Sequence, residues 1–344
     1  MGNPAGRFAV RSVDPFDDGW DTGEQVADGP ATQVTEEHAR TILSKNASPD
    51  IPFDVSLNPY RGCEHGCIYC FARPTHSFLD LSPGLDFESR LFAKPNAPEL
   101  LRAALRKRGY RPTPIALGTN TDPYQPIERR YELTRKILEV LDEFRHPATI
   151  VTKSVLVLRD LDLLEKMAEA GRVHVYLSVT TLDRSLARTM EPRAGTPERR
   201  LAALDALTSA GVPCGVLAAP MIPALNDHEL ERILAAAREN GAEQAGYILL
   251  RLPHEVAPLF TEWLHAHYPD KAGHVLSVMR QMRGGDLYRA EWGRRMRGTG
   301  PFADLLRRRF ETACRRLGLN RERPRLDVDA FRIPVQSGDQ TRLF

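Results

Sequence analysis

Apolar and polar positions along the chain follow two periods that take turns. Short continuous apolar runs, such as Ile115-Ala116-Leu117 and Tyr247-Ile248-Leu249-Leu250, are bounded by glycine, proline and hydroxyl residues. Between them lie segments with apolar residues at helical spacing, for example Leu133, Ile137, Val140, Leu141 and Phe144. Period and length predict strands over 54–57, 114–117, 148–151, 173–179, 213–218 and 246–250. Helices are predicted over 97–108, 128–144, 161–170, 196–210 and 227–240, then through Trp263, around 274–283 and over 302–317. Gly171 closes one of these helices, and Thr196 followed by Pro197 opens another. A short helix is predicted over 35–44, with Thr35 as its cap and Glu36 and Glu37 in its first turn. Residues 1–34 show no period and read as an irregular arm.

Strict alternation of strand and helix implies parallel strands joined by right-handed crossovers. The strands are apolar nearly throughout, as expected of a sheet covered on both faces. The pattern fits an open doubly wound sheet and a barrel equally. In a barrel, the loops after the strand C-termini would carry the chemistry.

Composition narrows the class rather than the function. At 344 residues, 42% hydrophobic and 27% charged, the chain is an ordinary globular protein of one large domain or two modest ones. A formal net charge of +2 names no partner. No run of about twenty apolar residues is present. The first twenty residues lack the apolar stretch of a secretory signal. Five cysteines, three of them clustered, point to metal binding in a reducing compartment, hence a cytoplasmic protein.

Those three, Cys63, Cys67 and Cys70, stand at C-x3-C-x2-C spacing inside NPYRGCEHGCIYCFAR, residues 58–73. Thiolates are soft ligands suited to iron or zinc. Gly62 and Gly66 give the loop the backbone freedom to wrap a metal group. Three thiolates are one short of the usual cluster set, which leaves an iron open to an exogenous ligand. A zinc knot completed by His65 or His76, or a purely structural cluster, is the plainer reading of the same residues. Cys214 and Cys314 stand apart and read as buried apolar residues.

The spacing C-x3-C-x-aromatic-C, with Tyr69 as the aromatic, resembles the signature of the radical S-adenosylmethionine (SAM) enzymes. The resemblance implies an α/β fold: a partial (β/α)6 TIM-type barrel with an irregular N-terminal arm and a helical C-terminal extension. It implies a [4Fe–4S] cluster on Cys63, Cys67 and Cys70. The open iron of that cluster chelates SAM, which is cleaved reductively to a 5′-deoxyadenosyl radical. Tyr69 would contact adenine. Thr121 and Asp122 stand where many members carry a Gly-Gly-Glu-type segment for the methionine amino group. Lys153 offers a cation for the carboxylate, and Ser178 and Thr180 offer hydroxyls. Residues 218–221 are apolar enough to line adenine, and Arg251 suits an anionic substrate or a structural ion pair.

NPYRGC, CIYCFAR, GTNTDPYQPIE and VTKS further resemble the spore photolyase-like, DNA repair photolyase-related branch, over residues 50–290. Two departures stand out. Members that repair the spore lesion carry tyrosine directly after the last cluster cysteine, where this chain has Phe71, and a hydrogen-donating cysteine near the segment matching 119–122, where this chain has none. Tyr60 and Tyr124 are the phenols on offer instead. Between Arg294 and Arg325 lie eleven arginines against three acidic residues, a stripe that could track phosphates or pair with carboxylates elsewhere. Trp292, Phe302 and Phe310 read as core.

The expected organisation is an arm over 1–50, a core over 51–290 and a basic helical extension over 291–344. The expected partners are nucleic acid and an electron donor such as flavodoxin or ferredoxin, with no membrane. Rival readings are radical SAM modification of a protein or small molecule, and a non-catalytic nucleic-acid-binding module with a structural zinc or iron–sulfur site.

Overall fold

The computed structural model of the chain describes residues 32–322 and 325–335. Its strands are β1 (Gln33–Glu36), β2 (Leu43–Lys45), β3 (Val55–Leu57), β4 (Tyr60–Arg61), β5 (Arg90–Ala93), β6 (Ile115–Leu117), β7 (Ala148–Thr152), β8 (Val173–Ser178), β9 (Cys214–Met221) and β10 (Gln244–Leu249). The main sheet has seven strands in the order β10-β9-β8-β7-β6-β3-β2. From β3 to β10 each neighbour is parallel and follows in chain order, with registers such as Leu57↔Leu117 and Ile150↔Val175. β2 pairs antiparallel on the outer edge of β3. The two ends of the sheet do not meet, so it is a partial barrel.

The helices expected between these strands are in place, at Ala97–Leu105, Leu133–Glu143, Leu161–Glu169, Pro197–Ser209 and Leu230–Glu239. The Thr196 hydroxyl accepts from Arg199 N, as its position before Pro197 predicts. Ile115, Leu117, Val173, Val175, Leu177 and Val216 are fully buried, which is why the strands read as continuous apolar runs.

Two local expectations fail. The helix over 35–44 does not form. Thr35 and Glu36 lie in β1, which pairs parallel with β5 from Gln33↔Arg90 to Glu36↔Ala93, and Leu43 begins β2. Backbone pairing with a strand more than fifty residues away outweighs the capping pattern. β1, β5 and β4 thus form a second small sheet, and the arm is not irregular beyond residue 32. Residues 1–31 lie outside the described part.

The helix over 128–144 is two, Glu128–Tyr131 and Leu133–Glu143, broken at Glu132 with φ 49°. The cause is the buried Glu128 carboxylate. It accepts the Thr134 N–H at 3.1 Å, the Arg159 guanidinium at 2.7 Å and the Tyr60 phenol, so it caps the second helix from within the first.

Beyond β10 the chain forms helices Val256–His267, Pro269–Met282 and Pro301–Leu317. Residues 325–335 then return to the base of the barrel. There Asp327 N donates to Gly171 O, Arg332 N donates to Phe144 O, and Phe331 packs on Tyr110 and Phe144. No helix among the described residues is long and apolar enough to cross a membrane.

Candidate active site

The cysteine loop leaves β3 at the C-terminal end of the first parallel strand. Successive turns bring Gly66 N to Cys63 O, Cys70 N to Cys67 O and Arg73 N to Cys70 O. Gly62 has φ 76°, and a Cβ there would lie 2.6 Å from Leu91 Cδ2 and 2.7 Å from Phe87 O. Only glycine fits that approach. The loop is stapled by Arg73, which is fully buried. Its guanidinium donates to the carbonyls of Cys67, Gly66, Pro83 and Gly84 and pairs with the buried Glu88 at 2.6 Å.

Cys63 and Cys67 are buried and Cys70 is half-buried. Burial first, then the neighbouring Asp122 and Cys67, push the Cys63 thiol well up. Burial and then Glu191 do the same for Cys67, with Lys153 opposing. Thiols so placed ionise only with positive charge bound among them, which is what a metal group provides. Among the described residues no three His, Cys, Asp or Glu side chains gather to hold one metal ion. His65 instead faces Asp122 at 3.4 Å, and His76 Nε2 bonds Arg90 O at 2.9 Å. Neither histidine is turned to join the cysteines. A polynuclear cluster, in which each thiolate binds its own iron, suits the three cysteines.

The other strand ends form the wall. Asn58, at the start of the motif, accepts Asn120 N at 3.1 Å and donates to Thr119 Oγ1, fixing the loop after β6. Thr121 is buried with its hydroxyl unpartnered. Asp122 is occupied. It accepts the Thr152 hydroxyl at 2.7 Å, Lys153 N at 2.8 Å and Tyr124 N at 2.9 Å. Burial opposes its charge, but His65, Thr152 and Lys153 N outweigh it and hold the carboxyl down at about 2. Lys153 places Nζ 5.8 Å from the Tyr69 ring centroid.

The Tyr69 phenol donates to Glu191 and stands 3.3 Å from Thr180 Oγ1. Glu191 is fully buried, accepts Thr180 Oγ1 at 2.6 Å and pairs with the buried Arg200. Arg200 also donates to Ser178 O at 2.9 Å and Gly195 O at 2.6 Å. Burial raises the Glu191 pKa, opposed by Arg200.

Thr121, Lys153 and Ser178 thus lie at or just after the ends of β6, β7 and β8, and Tyr69 lies within the cysteine loop itself. Thr180 and Asp122 are committed to internal bonds, and Tyr60 is bonded to Glu128 away from the cysteines. Sequence reading missed Arg73, Glu88, Glu191 and Arg200. Each is a charged residue whose burial depends on a partner that no local motif announces. Trp292, expected in the core, is 62% exposed, whereas Phe302 and Phe310 pack partly buried against it. Four arginines of the extension are paired with carboxylates. Arg294 meets Glu291, Arg295 meets Asp50, Arg307 meets Asp304, and Arg309 meets Glu231 and Asp227.

Residues 57–237 match the radical SAM superfamily model. An uncharacterised protein of Mycobacterium tuberculosis is 38% identical over 233 residues, 67% of this chain and 68% of its own. One from Methanocaldococcus jannaschii is 33% identical over 173 residues, 50% of this chain and 62% of its own. Among solved structures, spore photoproduct lyase complexed with dinucleoside spore photoproduct has the same fold, with a TM-score of 0.59 at 16% identity over 83% of this chain and 80% of that one. The chain belongs to the radical SAM superfamily, an enzyme family whose members use SAM with an iron–sulfur cluster.

Proposed function

We propose that the protein is a radical SAM enzyme carrying a [4Fe–4S] cluster on Cys63, Cys67 and Cys70 and acting on nucleic acid. The observation that carries the reading is the glycine-hinged loop of three thiols at the mouth of a parallel partial barrel, without a fourth cysteine. Such a cluster would supply the electron for reductive cleavage of the SAM sulfonium.

The chain's own residues bind and shield. Lys153 meets the SAM carboxylate, and the unpartnered Thr121 hydroxyl takes the amino group. Tyr69, held by Glu191 and Thr180, would offer its ring to adenine, and Ser178 would offer a hydroxyl to SAM. The apolar barrel wall keeps water away from the radical. Nucleic acid is favoured by the fold shared with a lyase solved with a dinucleoside lesion. Phe71, and the lack of cysteine over 119–122, separate this chain from the hydrogen relay of lesion repair. The enzyme takes electrons from a flavodoxin- or ferredoxin-type donor in the cytoplasm. Residues 51–290 are its core and 291–344 its extension.

The test is anaerobic reconstitution followed by electron paramagnetic resonance with and without SAM, and an assay for 5′-deoxyadenosine. A reduced cubane signal that shifts with SAM, and deoxyadenosine lost in Cys67→Ala, are expected. Bound zinc, or a cluster indifferent to SAM, overturns the reading.

A further inference from the structure

Among the described residues Arg251, at the barrel mouth, has no ion pair of its own, and Asp50 favours its charge only from a distance. Arg251 follows β10, and its guanidinium carbon lies 4.6 Å from the ring centroid of Phe71, the residue after Cys70. One terminal nitrogen donates to Met296 Sδ at 3.2 Å, a weak acceptor. Nε is buried with no partner, and the Tyr288 phenol stands beside the group. Asp50 is engaged by Arg295 at 2.6 Å and by Gly293 N at 2.6 Å.

Two more guanidiniums crowd this rim. Arg283 is buried and spends its terminal nitrogens on the carbonyls of Leu250, Arg294 and Arg295. Burial first, then Arg251, push it down to about 10. Burial also pushes Arg251 down, the Tyr288 phenol opposes by charge and hydrogen bond, Arg295 adds to the push, and Asp50 opposes it. A half-buried guanidinium resting on a ring and a thioether, among like charges, is relieved by an anion. Its planar fork suits two oxygens of one phosphate. The same rim shows two exposed aromatic faces, Phe71 at 43% and Trp292 at 62% exposure. Cations interleaved with open rings are what a single-stranded nucleic acid needs.

We propose that Arg251, placed over the Phe71 ring, is the receptor for a phosphate of the substrate and the residue that selects a phosphate-bearing strand at the barrel mouth. That the strand is nucleic acid rests on the function proposed above. Phe71 is thereby the platform for the receptor.

The test uses the reconstituted full chain without reductant, so that no turnover occurs. A short fluorescein-labelled oligothymidylate is titrated by fluorescence anisotropy over a salt series, and inorganic phosphate by calorimetry. Arg251→Gln is expected to weaken the oligonucleotide about tenfold and to flatten the slope of log K against log salt by about 0.7, one phosphate contact. Arg251→Lys keeps the slope and loses part of the affinity, which separates a charge contact from a folding defect. An oligonucleotide bound equally by wild type and Arg251→Gln overturns the receptor and leaves the nucleic-acid reading standing. Phosphate bound through Arg251 while the oligonucleotide is not bound supports the receptor and sinks the nucleic-acid reading. A wild type that binds neither, or that binds only an acidic peptide, overturns the proposal.

Discussion

Two arginines near the cysteine loop live under opposite conditions. On the inner wall Arg200 is sealed from solvent, and its charge meets Glu191 while its other donors meet Gly195 O and Ser178 O. On the rim Arg251 meets a phenyl ring, a thioether, the Tyr288 phenol and a further arginine, with Asp50 near but without an ion pair. A buried charge costs several kcal/mol unless it is paired and bonded. The inner wall meets that condition from within the chain and is a finished scaffold that holds Tyr69 still. The rim leaves it open, as a surface does that is completed by a ligand.

The largest expected effect tests that contrast directly. Glu191→Ala strands Arg200 in the core and releases the Tyr69 phenol, so it destabilises the chain by about 3–5 kcal/mol. Arg251→Gln removes a charge with no counter-ion to strand, and shifts stability by less than about 0.5 kcal/mol. Urea midpoints of the two variants decide the matter. Equal losses would mean that the rim arginine is as structural as the wall arginine.

The base of the barrel supplies the next effect. His146 and His174 are buried, and burial lowers both to about 4, from an ordinary value of 6.5. His146 is held between Pro147 O and the Tyr110 phenol. Above about pH 6.5 both imidazoles are neutral, folded or unfolded, and cost nothing. As the pH falls from 6.5 to 4 only the unfolded chain takes up these protons, so stability drops. The penalty is complete below about pH 4, at about 3 kcal/mol for each histidine. Urea midpoints measured across that window should fall, and His174→Leu should remove about half of the slope. A flat profile would show that the base opens to water, unlike the inner wall.

What the chain betrays locally is read correctly from sequence, and what it settles over distance is not. The six parallel strands are legible because both of their faces are buried, which leaves short apolar runs such as Ile115 to Leu117. Cys63, Cys67 and Cys70 stand out because their spacing lies within one short loop. β1 is hidden because its strand character comes from β5. The break at Glu132 is hidden because it follows from where one carboxylate, Glu128, is buried. Glu191 is 122 residues from Tyr69, and Arg73 looks like any surface arginine until Glu88 and four carbonyls surround it. Thr121 and Asp122 are adjacent in sequence and equally polar. Only packing shows that the first hydroxyl is unspent and the second carboxylate is not.

The smallest effect sharpens the contrast within the basic extension. Arg309 lies on the helix Pro301–Leu317, bonded to both Glu231 oxygens at 2.8 and 2.7 Å and to Asp227 O at 2.9 Å. Its charge is already matched by the chain, as on the inner wall, but with partial solvent access that weakens the pairing. Arg309→Ala should therefore cost only about 1 kcal/mol. It should leave the oligonucleotide salt slope at the wild-type value, because a paired arginine has no phosphate to release counter-ions from. A slope that flattens in Arg309→Ala as it does in Arg251→Gln would place the strand along the helix as well as at the mouth. Unpaired charge would then no longer be what marks the binding surface.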